Sequence, residues 1–215
     1  MIVRLESVCG EQGVLVAVAS VDGVLLAGAH PLANGSADDI RAGFARAGLE
    51  WSPAWPRRVE DALLEVSREA RERGAAVPEF SMAAVAITGS RVDVRWCGDV
   101  RVYASAPDAN WHTIDHTVKF APDEELPAGA PDFIRSAMPS VYTRYLSANE
   151  KHTGSAAAWE ARTREWTIAI CTNGFHGHGD PIVHAPVVLN APPVPVAPTR
   201  ADFLARVRIA TMRQA

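Results

Sequence analysis

The sequence predicts an α+β fold in which antiparallel strands carry the core and helices pack on them. Two stretches predict it. Residues 80–116 read as consecutive strands: an apolar run over 80–87, a turn at Gly89-Ser90, and an alternating run over 92–96 with Val92, Val94 and Trp96 against Asp93 and Arg95. Past Gly98-Asp99 a third run follows over 100–104. Tight turns between β-branched runs favour an antiparallel meander. Residues 36–73, by contrast, place apolar side chains at helical spacing among many charges. A chain of 215 residues buries one substantial core, so one compact body is expected.

Taken in order, residues 1–29 read as strands, with 2–5 short and 14–19 a near-continuous apolar run of the kind buried on both faces. Asp22-Gly23, between two apolar runs, is a tight-turn signal. Ser36 suits the cap of a first helix, with Asp38 and Asp39 near the positive end of its dipole and Ile40, Phe44 and Leu49 on its apolar face. After a linker holding Trp51 and Trp55, Pro56 suits the first position of a second helix. There Val59, Ala62, Leu63, Val66 and Ala70 recur at helical spacing, and Gly74 stops the helix. The charges among them, Glu60 included, read as a solvated face of i,i+4 pairs.

Beyond the meander, a polar loop from Pro107 leads to Asp115-His116. A helix is expected to open at Pro131-Asp132 and run to Met138, where Pro139 breaks it. Tyr142, Tyr145 and Leu146 suggest another helical turn or two. Residues 149–158 read as a flexible loop, and 165–171 as a strand running into Thr172-Asn173-Gly174-Phe175. The prolines of 185–198 leave that stretch an edge strand at best. Thr199 is expected to cap a last helix with Phe203, Leu204, Val207 and Ala210 on one side. The division expected is a body over 1–184 with a tail over 185–215 packed on it.

One ordered set of residues resembles a known family. A buried strand, a turn, an alternating strand, Gly98-Asp99-Val100-Arg101, another strand and then Asp115-His116 are similar to the centre of the metal-dependent type-2C (PPM) serine/threonine protein phosphatases. Their version is Gly-Asp-Ser-Arg followed by Asp-His. A second likeness is Thr172-Asn173-Gly174-Phe175, where the family has Ser-Asp-Gly-Leu/Phe. The resemblance implies a four-layer α/β/β/α sandwich of two antiparallel sheets flanked by helices. For an active member it implies two Mn²⁺ or Mg²⁺ ions held by carboxylates. Asp22 and Gly23 resemble the family's Asp-Gly, whose carboxylate and carbonyl bind both metals, and Asp99 and Asn173 stand at further metal positions. Arg101 would bind a phosphate or pair with a neighbouring carboxylate, and pairing is the favoured reading.

The chain also departs from the family. The Gly-His-Gly-Gly-like run after the Asp-Gly, the acidic motif before it and the terminal Asp-Asn-x-Thr are all absent, and Asn173 keeps one oxygen of the family's Asp without its charge. Hard divalent ions need oxygen ligands with compensating charge, and two carboxylates are too few for a pair. The expectation is a degenerate member with no bound cofactor: a pseudophosphatase serving as a regulatory module for a kinase or phosphoprotein. The alternative is an active Mn/Mg-dependent phosphatase with substituted ligands.

A competing constellation is His176, His178 and His184, spaced H-x-H-x5-H with Asp180 between them, which could hold a metal, although an exposed glycine-rich loop is the favoured reading. The remaining classes are excluded by composition. A net charge of −4 offers no basic excess, so nucleic acid is not an expected partner. No apolar run reaches the roughly 18 residues that span a bilayer, so no membrane is expected, and the start lacks the apolar core of a signal peptide. Cys9, Cys97 and Cys171 are scattered and odd in number, which points to a reducing cytoplasm.

Overall fold

Two antiparallel sheets stack face to face, and helices lie on their outer faces. The computed structural model describes residues 1–126, 134–136, 138, 142–149, 154–176, 180–190 and 201–210. The first sheet runs β2 (Val14–Ala19), β3 (Val24–Pro31), β4 (Phe80–Thr88), β5 (Arg91–Cys97) and β8 (Ser155–Glu160). The second runs β1 (Ile2–Cys9), β10 (Phe203–Ala210), β9 (Trp166–Cys171), β6 (Arg101–Ala106) and β7 (Ala109–His112). Helices α1 (Ala37–Ala47) and α2 (Trp55–Glu72) cover the first sheet. The short α3 (Asn173–His176) and α4 (Pro181–Asn190) lie against the second, with Val188 and Leu189 on Tyr103, Ala169 and Cys171. This is the four-layer α/β/β/α sandwich.

Central strands sandwiched between two layers bury both faces, which is why β3 and β4 read as apolar runs. Their alternate side chains divide between two cores. Val24, Leu26, Val85 and Ile87 meet Ile168, Ile170, Phe203 and Val207 between the sheets. Leu25, Ala27, Ala84 and Ala86 meet Ile40, Phe44, Trp55, Val59 and Leu63 beneath the helices. Sequence chemistry sets the helix ends. Ser36 and Asp39 form a reciprocal capping box at α1, and Pro56 sits in the first turn of α2. Arg46 on α1 donates two hydrogen bonds to Glu69 on α2, at 2.7 and 2.8 Å, joining the pair. Among the described residues no helix is long and apolar enough to cross a membrane.

Several local expectations are corrected. Residues 203–210 form β10, not a helix. Phe203, Leu204 and Val207 fit a helical spacing, but Phe203, Ala205, Val207 and Ile209 also alternate, and their face packs between the sheets. Eight residues of β10 pair with β1, so tertiary pairing decides. Residues 155–158, expected within a flexible loop, belong to the edge strand β8, paired with β5 from Arg91↔Glu160 to Trp96↔Ser155. Ala109–His112, expected as loop, is β7. Residues 185–190 belong to a helix that takes Pro186 in its interior. Tyr142 and Leu146 make isolated bridges to Thr117 and Phe80 in place of a helical turn. Glu60 is fully buried, not solvated: it accepts from Arg95 and from the Gly154 N–H at 2.7 Å, tying α2 to β5 and β8. Of the helix expected over 131–138, residues 134–136 are helical, Met138 is not although its N–H donates to the Ile134 carbonyl at 2.9 Å, and 131–133 and 137 lie outside the described residues.

Candidate functional site

Strand register gathers a set of polar side chains at one end of the sandwich. His30, at the end of β3, pairs with Ser81 at the start of β4. Met82 pairs with Cys97, which delivers Gly98-Asp99 to the same place. Gly98 is required there: its φ is +83°, and a Cβ would fall 2.2 Å from the Ser81 hydroxyl oxygen. Cys171 pairs with both Arg101 and Leu204, bringing Asn173 and Asp202 alongside.

Asp99 is the hub. Its Oδ1 accepts from His30 Nε2 at 2.8 Å and from the Ser81 hydroxyl at 2.9 Å, while its own N–H donates to Ser81 Oγ at 3.0 Å. His30 Nδ1 faces the Pro31 carbonyl at 3.2 Å. A carboxylate only accepts, so the Nε2–H is the donor to Asp99. Both residues are about 5% exposed. Burial raises the Asp99 carboxyl, but the His30 contact and the Ser81 and Tyr142 hydroxyls outweigh it and hold the group down to about 2.

Beside this hub, Arg101 and Asp115 form a fully buried bidentate pair, Nε to Oδ1 at 2.6 Å and Nη2 to Oδ2 at 2.8 Å. Both Asp115 oxygens accept, the pattern of the ionised group. Burial pushes its carboxyl up, and the guanidinium opposes that rise. Arg101 also donates to the Tyr103 hydroxyl and lies over the Phe120 ring, 5.3 Å from its centroid. Its charge is thus directed at Asp115. Burial pushes the Cys97 thiol up to about 12 and raises that of Cys171, so neither is a thiolate nucleophile at neutral pH.

Of the remaining sequence candidates, Asn173 lies at this end and Asp22 and Gly23 at the other. Asp22 and Gly23 form the exposed turn between β2 and β3, at the opposite end of β3 from His30 and on the order of 25 Å away by strand rise. The strand that enters α1 is β3, and its last residues are His30 and Pro31. Asn173 opens α3, next to a carboxylate that the sequence reading missed: Asp202 Oδ1 accepts from the Thr172 hydroxyl at 3.0 Å and the Gly174 N–H at 3.2 Å. Asp180 is exposed and accepts from Ile182 N at 2.8 Å at the start of α4, which carries the half-buried His184. His178 and the side chain of His176 lie outside the described residues. Ser81 and Asp202 carry no local motif, but His30 carries one weak signal: it is the only polar side chain in the apolar run of β3.

No family model matches this chain, and no curated protein sequence does. Solved structures do. The serine/threonine phosphatase PstP/Ppp of Mycobacterium tuberculosis superposes with a TM-score of 0.67 at 15% identity, over 98% of this chain and 100% of that one. The fold is that of the PPM-type serine/threonine phosphatases. The PstP catalytic domain in complex with two manganese ions matches at 0.59 and 16% identity, covering 96% of each chain. PppA, a key regulatory component of T6SS in Pseudomonas aeruginosa, matches at 0.57 and 17%, again over 96% of each.

The PPM-type fold implies a pair of divalent ions, and such a pair needs several oxygen ligands with free lone pairs and net negative charge. Here both oxygens of Asp115 bind Arg101, Asp99 is bound by a histidine and a serine, and Asp202 turns back onto Thr172 and Gly174. Asn173 is neutral. Among the described residues no three of His, Cys, Asp or Glu gather as a metal-binding group. This donor set does not fit two divalent ions.

Proposed function

We propose that this protein is a pseudophosphatase: a PPM-type fold that serves as a regulatory, protein-binding module in phospho-signalling and does not turn phosphoesters over. One observation carries the reading. His30 Nε2 donates to Asp99 Oδ1 at 2.8 Å, at the end of the fold where strand ends and loops converge. An N–H aimed at that oxygen, with a ring behind it, occupies the carboxylate that a divalent ion would need. The partner would be a kinase or a phosphoprotein, and the compartment the cytoplasm. PppA, of the same fold, is named a key regulatory component of T6SS, which supports a regulatory role.

A second reading, an active Mn- or Mg-dependent phosphatase with substituted ligands, draws support from Asp202, a carboxylate beside Asn173-Gly174. The two separate in one assay. The purified chain is incubated with a phosphothreonine peptide and millimolar Mn²⁺ or Mg²⁺. The pseudophosphatase reading expects phosphate release no faster than the blank. Metal-dependent release that disappears in Asp99→Asn or Asp202→Asn would replace it with the second reading.

A further inference from the structure

The end of the sandwich away from His30 holds a cleft of about 490 Å³, within the range typical of small-molecule sites. Val24, Ile87 and Ile209 give it an apolar floor, and Asp22, Thr88 and Arg164 stand on its wall. The register builds it: Val24 pairs with Ile87, and Ile209 pairs with Trp166 just past Arg164. The Arg164 loop is pinned to the β4–β5 turn, since Ala161 N donates to Ser90 O at 2.9 Å and Trp166 Nε1 to Gly89 O at 3.0 Å. Gly23 fixes the opposite wall. A Cβ there would lie 2.1 Å from the Ile87 carbonyl oxygen and 2.4 Å from Trp51 Nε1, so only glycine lets the Asp22 turn sit this close to β4.

The polar groups of the cleft lack mates. Among the described residues neither the Asp22 carboxylate nor the Arg164 guanidinium forms an ion pair, and the Thr88 hydroxyl oxygen is buried without a hydrogen-bond partner. An acid and a base on one rim, above an apolar floor, match a molecule with two opposite charges and an apolar branch. A ligand with a single charge would meet one wall group of its own sign or leave one desolvated and unanswered.

We propose that this cleft binds a small amphipathic zwitterion of the α-amino-acid class. Its ammonium faces Asp22, its carboxylate faces Arg164, and its side chain rests on Val24, Ile87 and Ile209. The site is independent of the pseudophosphatase reading and lies at the other end of the fold.

The test is calorimetric titration of the full chain with L-leucine and L-phenylalanine, beside isovalerate, which has only the carboxylate, and isopentylamine, which has only the ammonium. Leucine should bind, and each single-charge analogue should bind at least about tenfold more weakly, the loss expected for one unanswered charge-assisted contact. Arg164→Gln and Asp22→Asn should each weaken leucine by a similar factor, with unchanged circular dichroism. No heat from either amino acid at millimolar concentration would overturn the proposal. So would isovalerate or isopentylamine binding as well as leucine, or leucine binding that survives both charge variants.

Discussion

At one end β3 delivers His30 into a network where every charged group is buried and answered by another protein group. At the other end it leaves Asp22 in an exposed turn, facing an Arg164 that answers nothing among the described residues. The contrast is one of solvent. Charges out of water must be matched by the protein itself, or the desolvation cost unfolds it. Charges in water carry no such demand and remain open to a ligand. The first end is therefore part of the architecture, while the second can change without changing the fold.

The largest expected effect is at the buried pair. Asp115→Ala leaves the Arg101 guanidinium without its carboxylate and should cost about 3–5 kcal/mol in urea unfolding. The Arg101→Met, Asp115→Leu double variant should recover most of that loss, and a double variant as unstable as the single one would show that the loss comes from packing. His30→Ala should cost less, about 1–3 kcal/mol, because Ser81 and Tyr142 still answer Asp99.

Acid should reveal the same end. The folded Asp99 carboxyl is held down to about 2, below the roughly 3.9 of an unfolded aspartate. Its contribution is complete above about pH 4 and is lost as pH falls through 2, on the order of 2 kcal/mol in all. Stability measured from pH 5 to 2 should fall less steeply in Asp99→Asn. Equal slopes would mean that the network does not depend on an ionised Asp99. The smallest effect belongs to the open end: Asp22→Asn and Arg164→Gln should each lie within about 0.5 kcal/mol of the parent by thermal unfolding. A larger loss at either would show that the two ends are not distinct in kind.

The layered fold was legible where local signals agree with tertiary demand. The β4–β5 meander, the Ser36 capping box and the Pro56 helix start all follow from neighbours in sequence. It was illegible where pairing with distant strands overrides composition. Residues 155–158 look like a loop until β5 supplies a partner, and residues 203–210 look helical until β1 and β9 take both edges. The candidate site divides in the same way. Asp99, Arg101 and Asp115 announce themselves in short motifs, but Ser81, His30 and Asp202 reach the site only through register. Asp22-Gly23 shows the converse. It has the right letters after the first apolar run, yet the strand that enters α1 is the next one, so the motif sits at the opposite end of the sheet.

The most direct measurement is calorimetric titration of the chelator-treated protein with Mn²⁺, beside Asp99→Asn as a control. A network that answers its own carboxylates predicts no binding at millimolar ion in either protein. Tight binding of two ions, lost in the control, would contradict the account and return this end of the fold to metal chemistry.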